Sequence, residues 1–176
     1  MVRRSAALLV VRDDPEAGPL LLIGHMGGPF WARKDAGAWS IPKGEYLDDE
    51  EPEVAARREL TEETGYVWPP DRPVVDLGEF RQSGGKRVKA FLAVEHAFVD
   101  GSEHRWELAD FRSNTFPLEW PPRSGRFVDV PEIDRVGWVS TQIAREKLVR
   151  GQLAVVDAAA SHVGETRRPE EARYSG

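Results

Sequence analysis

The sequence predicts a mixed α/β sandwich built as a single domain. Three observations carry this: β-rich apolar runs recur along the chain, one sharply bounded helix interrupts them after residue 51, and helical segments close the sequence. With 176 residues, 40% of them hydrophobic, the chain supplies one well-packed core and hardly a second.

Met1 to Arg12 hold an apolar stretch too short for a membrane span, with no small-residue cleavage site behind it, so a first strand is expected over Ser5 to Arg12. Asp13 to Gly18 are turn-formers, and Pro19 to His25 form the second arm of a hairpin. A long loop, Met26 to Ala38, leads to a short strand at Trp39-Ser40-Ile41. Pro52 suits a first helical turn and Gly65 a stop, which bounds a helix over Glu51 to Thr64. Strands are expected at Val74 to Arg81 and Arg87 to Phe98 with Gly84-Gly85 turning between them, and a last strand at Arg135 to Val139. Ser140 or Thr141 caps a helix to Val149, and a second helical segment covers Gln152 to Ala160. The domain therefore spans residues 1–160, and 161–176, rich in Gly, Pro, Arg and Glu, reads as a tail.

The chain has no cysteine, which excludes disulfides, thiolate metal sites and a cysteine nucleophile, and fits a reducing cytoplasm. Its net charge of −6 is localised: between Gly44 and Tyr66 nine acids face only Arg57 and Arg58, so this segment carries −7 and the remainder +1. Such a patch repels a nucleic-acid backbone and calls for something positive, for which divalent cations are suited. On a helix each residue advances by roughly 100°, so Glu59, Glu62 and Glu63 converge within one arc bordered by Ala56 and Leu60.

From Gly44 the chain reads glycine, five residues, Glu50, seven residues, then Arg58-Glu59-Leu60-Thr61-Glu62-Glu63-Thr64-Gly65-Tyr66. This resembles the Nudix box: all nine defined positions over 23 residues match, with Tyr66 where an aliphatic residue is usual. The resemblance implies an α/β/α sandwich around a mixed β-sheet and hydrolysis of a phosphate anhydride with Mg²⁺ or Mn²⁺. It implies Glu59, Glu62, Glu63 and the carbonyl of Lys43 as metal ligands, with Arg58 and Glu50 orienting the carboxylates. Several Nudix hydrolases carry a further catalytic glutamate six residues before a tryptophan on a late strand, a spacing that Glu132 and Trp138 reproduce; Glu107 and Glu119 are alternatives. Water deprotonated by Glu59, Glu62 or Glu132 then attacks phosphorus. Lys43, Arg81, Lys86, Arg87, Lys89, Arg123 and Arg126 can supply basic contacts to the substrate.

Trp39-Ser40-Ile41-Pro42-Lys43-Gly44 is similar to the lead-in of diadenosine polyphosphate and diphosphoinositol polyphosphate hydrolases, which places Trp39 and Lys43 among the substrate-binding residues. The tyrosine of the diadenosine group is missing, since the corresponding stretch reads Phe80-Arg81-Gln82-Ser83, and the signatures of ADP-ribose and NADH hydrolases are absent. Residues 27–31 and 113–126 resemble segments of a bacterial subgroup of predicted nucleoside triphosphate pyrophosphohydrolases. Aromatics there could stack on a base; a loop packed on the sheet or a homodimer contact fits them equally. The expected partner is a small-molecule nucleoside polyphosphate, with no nucleic acid and no membrane. An inactive, nucleotide-sensing Nudix domain is the alternative, disfavoured by the intact box.

Overall fold

The computed structural model describes residues 4–14, 16–95 and 106–166, with side chains throughout except at 83, 165 and 166. Nine strands and three α-helices are present among them: β1 (Arg4–Asp14), β2 (Gly18–Met26), β3 (Trp39–Ser40), β4 (Lys43–Glu45), α1 (Pro52–Thr64), β5 (Val75–Arg81), β6 (Arg87–Glu95), β7 (Thr115–Glu119), β8 (Phe127–Pro131), β9 (Ile133–Ser140), α2 (Thr141–Lys147) and α3 (Leu153–Thr166). The α/β/α sandwich expected from the sequence is the observed fold. None of the described helices is long and apolar enough to cross a membrane.

Alternation along the central strands explains the layers. In β1, Ala6, Leu8 and Val10 point to one face and Ala7, Leu9 and Val11 to the other, all buried. The first face joins Leu22, Phe91 and Ala93 beneath Ala55, Ala56 and Leu60 of α1. The second joins Leu21, Ile23 and Leu92 beneath Ala144 of α2 and Val155, Val156 and Ala159 of α3. A strand apolar on both sides needs cover on both sides, which is why the sandwich has three layers.

β1 runs parallel to β6 and antiparallel to β2, and β9 extends the sheet beyond β2. The pairing of β1 with β2 covers only Val11–Asp14 against Gly18–Leu21. Beyond it the strands part, and residues 39–45 fill the gap: β3 pairs with Gly24 and His25, β4 with Ser5 to Ala7. The expected short strand at Trp39–Ile41 is thus the first half of a segment that breaks at Ile41-Pro42, where proline has no N–H to donate. Pro42 still accepts the N–H of Leu8 through its carbonyl, at 3.2 Å.

The two helix ends foreseen around residues 52 and 65 hold. Pro52 opens α1, and Gly65, at φ 75°, closes it by donating its N–H to Thr61 at 2.8 Å. Ser140 caps α2 by accepting from the N–H of Ile143. Two expectations change. Residues 113–126, for which no strand is expected from sequence, open into the β7–β8 hairpin, with Phe116 opposite Val130 and Leu118 opposite Val128. Helix α3 runs over Leu153–Thr166, past the expected end near Ala160, and Val163, only 7% exposed, prolongs the buried stripe of Val155, Val156 and Ala159. Residues 96–98 of the strand expected over Arg87 to Phe98 and 167–176 of the expected tail lie outside the described residues.

Candidate active site

The end of the sheet at which β1 and β6 begin and β2 finishes is where α1 presents its glutamates. Its loop lead-in, β4, lies edge to edge with β1, and Gly44 sits directly against the side chain of Glu59. A Cβ on residue 44 would fall on the Glu59 carboxyl group, so only glycine admits this approach. The neighbouring backbone N–H of Lys43 donates to Glu63 Oε2 at 3.0 Å. Glu59 and Glu63 are each 6% exposed, whereas Glu62 stays at the surface.

Arg58 braces this face of the helix. Its guanidinium grips Glu50 with two N–H donors at 3.0 and 3.3 Å, and a third nitrogen reaches Glu59 at 2.7 Å and Glu62 at 3.0 Å. The contact with Arg58 holds the Glu50 carboxyl below its ordinary range. Burial pushes Glu59 up in spite of Arg58, because removing water from a charged carboxylate outweighs one guanidinium.

A third element, from the far end of the chain, closes the cluster. The backbone N–H of Glu132 donates to Asn114 at 3.1 Å, and its carbonyl accepts from Gly27 at 2.8 Å. Asn114 in turn donates to the Glu62 carbonyl, and Arg112 to that of Thr64, so this segment satisfies carbonyls left open at the end of α1. A register shift between β2 and β9 at His25/Met26 lies beside Glu132, a place where bulges commonly re-aim a side chain. Carboxylate oxygens of Glu59, Glu63 and Glu132 thereby lie within 4.8 Å of one another. Burial raises Glu63 to about 8, opposed by Lys43 and reinforced by Glu132 and Glu59. Three converging carboxylates, two of them buried, form a donor set of hard oxygens that suits a divalent cation such as Mg²⁺ or Mn²⁺.

A cleft of about 480 Å³ surrounds the cluster. Of the residues singled out from sequence, Lys43, Glu59, Glu62, Glu63, Glu132 and Lys86 line it. Trp31 and Phe116, from the two aromatic segments, line it as well. Trp39 is corrected: it is 6% exposed, donates through Nε1 to Asp35 at 2.8 Å, and packs in the core beside α2 and α3, so no face is open to a substrate. Arg81, Arg123 and Arg126 are exposed but do not line the cleft, and Arg58 acts through its carboxylate contacts. The alternatives to Glu132 lie elsewhere: Glu107 stands beside Arg12, and Glu119 accepts the N–H of Gly125 in the β7–β8 turn.

Sequence reasoning missed Asn114 and Gly27 as the pair that holds Glu132. The signal available was the Gly27-Gly28 pair: a Cβ on residue 27 would fall on the Pro131 carbonyl.

The NUDIX domain family model matches residues 1–158 of this chain. An RNA pyrophosphohydrolase of Hahella chejuensis (strain KCTC 2396) is 28% identical over 128 residues, 72% of this chain and 74% of the relative. A C. elegans Ap4A hydrolase in a binary complex superposes with TM-score 0.59 at 16% identity, over 92% of this chain and 98% of the other. The NUDIX domain of Shewanella oneidensis NrtR, in complex with ADP ribose, gives TM-score 0.59 at 15% identity, over 93% and 89%. At these identities the structural likeness concerns the fold. The family match extends through the sheet, the glutamate helix, α2 and the start of the closing helix, and on that basis the chain belongs to the Nudix family, as a MutT-like hydrolase of phosphate anhydrides.

Proposed function

We propose that this protein hydrolyses a phosphate anhydride bond in a nucleoside polyphosphate, with Mg²⁺ or Mn²⁺ held by Glu59, Glu63 and Glu132, joined by Glu62 and the Lys43 carbonyl. The observation that carries this is the convergence of Glu132, from the far end of the chain, on the carboxylates of α1. Divalent ions bound there would neutralise substrate phosphates and make a water molecule acidic enough to attack phosphorus. The chain's own residues supply the rest. Arg58 and the Lys43 N–H fix the orientation of Glu59 and Glu63, one of Glu59, Glu62 or Glu132 accepts the proton of the attacking water, and Lys43 and Lys86 offer positive charge to phosphate oxygens.

The relatives support a polyphosphate chain: one is named for RNA pyrophosphate hydrolysis and one for Ap4A. The acidic surface of residues 44–66 favours a small nucleotide over a long nucleic acid, and a cytoplasmic setting fits the absence of cysteine. The test is a panel of nucleoside triphosphates, dinucleoside polyphosphates, ADP-ribose, diphosphoinositols and an RNA oligonucleotide with a 5′-triphosphate, incubated with Mg²⁺ or Mn²⁺. Release of phosphate, pyrophosphate or a nucleotide fragment is expected. Tight nucleotide binding without any cleavage would overturn the proposal in favour of a sensor.

A further inference from the structure

The cleft differs from one side of the sheet end to the other. Strand pairing sets Met26 beside Ile133 on one side, then residues 39–45, then the start of β1, and then Arg87 at the start of β6, opposite Arg4. Trp31 and Phe116 border the cleft on the β2–β9 side, Lys86 borders it just before β6, and Glu59 and Glu63 lie between, against β4. From β2 to β6 are three strand spacings, roughly 14 Å. Aromatic rings, carboxylates and an ammonium group thus follow one another across the cleft.

Both ends are built for these positions. At the aromatic end, Phe30 and Trp120 meet edge to face at 5.0 Å and tie the loop after β2 to the β7–β8 hairpin, while Val130 and Leu118 pack over Gly28. At the other end the turn before Lys86 is closed by the Gln82 N–H donating to the Lys86 carbonyl at 2.8 Å. Gly84 and Gly85, at φ 73° and 76°, have no atom within 4 Å of where a Cβ would stand, which leaves that turn open to an incoming group.

Resting on the hydrolase reading above, we propose that the nucleotide lies across the sheet end in one direction, its base against Trp31 and Phe116, and that Lys86 selects for chain length by contacting phosphates beyond the second. A base offers a π-face for the aromatic rings, and an ammonium group is a point charge that attracts phosphate oxygens. A diphosphate whose reacting phosphorus sits at the carboxylates has nothing left to extend toward β6. A chain of three or more phosphates does, so the favoured substrates are nucleoside tri- and tetraphosphates or dinucleoside polyphosphates, and compounds of the ADP-ribose type, with only two phosphates, are disfavoured.

The experiment measures calorimetric Kd values, with Mg²⁺, for methylene-bridged adenosine and guanosine di-, tri- and tetraphosphates on the full chain and on three variants. Lys86→Gln is expected to weaken the tri- and tetraphosphates about tenfold more than the diphosphate, the scale of one charge-assisted hydrogen bond, and Lys86→Arg to recover most of that loss. Phe116→Ala is expected to weaken all chain lengths by a similar factor. Equal loss at every chain length in Lys86→Gln, or a loss confined to long chains in Phe116→Ala, overturns the inference. If no nucleotide binds the unaltered protein, the inference and the reading beneath it both fail; binding with no turnover of the hydrolysable parents removes the hydrolase reading alone.

Discussion

The Cα of Gly44 lies so close to the Glu59 carboxyl group that any side chain at residue 44 would occupy the same space. Gly44→Ala is therefore expected to displace Glu59 and to lower turnover by about 10²-fold, the scale reached when a reacting group is misplaced by roughly 1 Å. Circular dichroism should show an unchanged fold, since β4 pairs with β1 through backbone groups. Full activity in Gly44→Ala would show that the position of Glu59 is not needed.

Glu132 joins the box carboxylates through the Asn114 and Gly27 hydrogen bonds to its backbone. Glu132→Gln keeps those bonds and removes only the charge, and kcat is expected to fall by about 10²-fold, as for a group acting mainly in the transition state. Glu107→Gln and Glu119→Gln should retain the parent rate, because neither borders the cleft. A Glu132→Gln enzyme with undiminished kcat would exclude this residue from the reaction.

Arg58 contacts Glu50, Glu59 and Glu62 at once, which a lysine cannot do with one ammonium group. Arg58→Lys should lower kcat/KM by about tenfold and weaken Mg²⁺ binding, a loss of about 1.4 kcal/mol in transition-state stabilisation. Equal kcat/KM values for the two proteins would reduce Arg58 to a surface ion pair.

The raised Glu63 predicts how metal-free stability depends on pH. Its carboxyl moves from the ordinary 4.5 to about 8 on folding, chiefly by burial. The folded chain thus holds a proton that the unfolded chain has released, so this contribution is full below about 4.5 and is lost as pH rises toward about 8. In EDTA, the Tm is expected to fall across this window, and Glu63→Gln to flatten the fall. Adding Mg²⁺ near the upper limit should restore the Tm, since a cation replaces the proton. Glu50, Asp35 and Asp76, all lowered, act in the opposite sense and only in the acid range. A metal-free Tm that rises between these limits in the parent, with no change in Glu63→Gln, would contradict this assignment.

Helix α1 was legible because local signals bound it, proline at the start and glycine at the end, and the fixed spacing of its carboxylates identified its chemistry. Glu132 was legible only through its distance from Trp138, which does stand on β9. Which glutamates of the arc are buried could not be read from helical periodicity, since Gly44 and Lys43 decide it from another strand. Trp39 belongs to the core for a similar reason: its ring is enclosed by α2 and by Asp35, Arg135 and Lys147, none of which the lead-in motif includes. The β7–β8 hairpin carries Pro117, Pro121 and Pro122 and looks like a loop in sequence, yet packing of Leu118 and Val130 over Gly28 supports it as a hairpin.

The most direct test is the release of phosphate or pyrophosphate from nucleoside triphosphates and dinucleoside polyphosphates by the parent and by Glu63→Gln, in Mg²⁺ and in EDTA. Turnover that requires Mg²⁺ and drops by at least about 10²-fold in a folded Glu63→Gln protein is the expected result. Turnover that persists in EDTA, or that is equal in the two proteins, would contradict the assignment of hydrolysis to the buried carboxylate cluster.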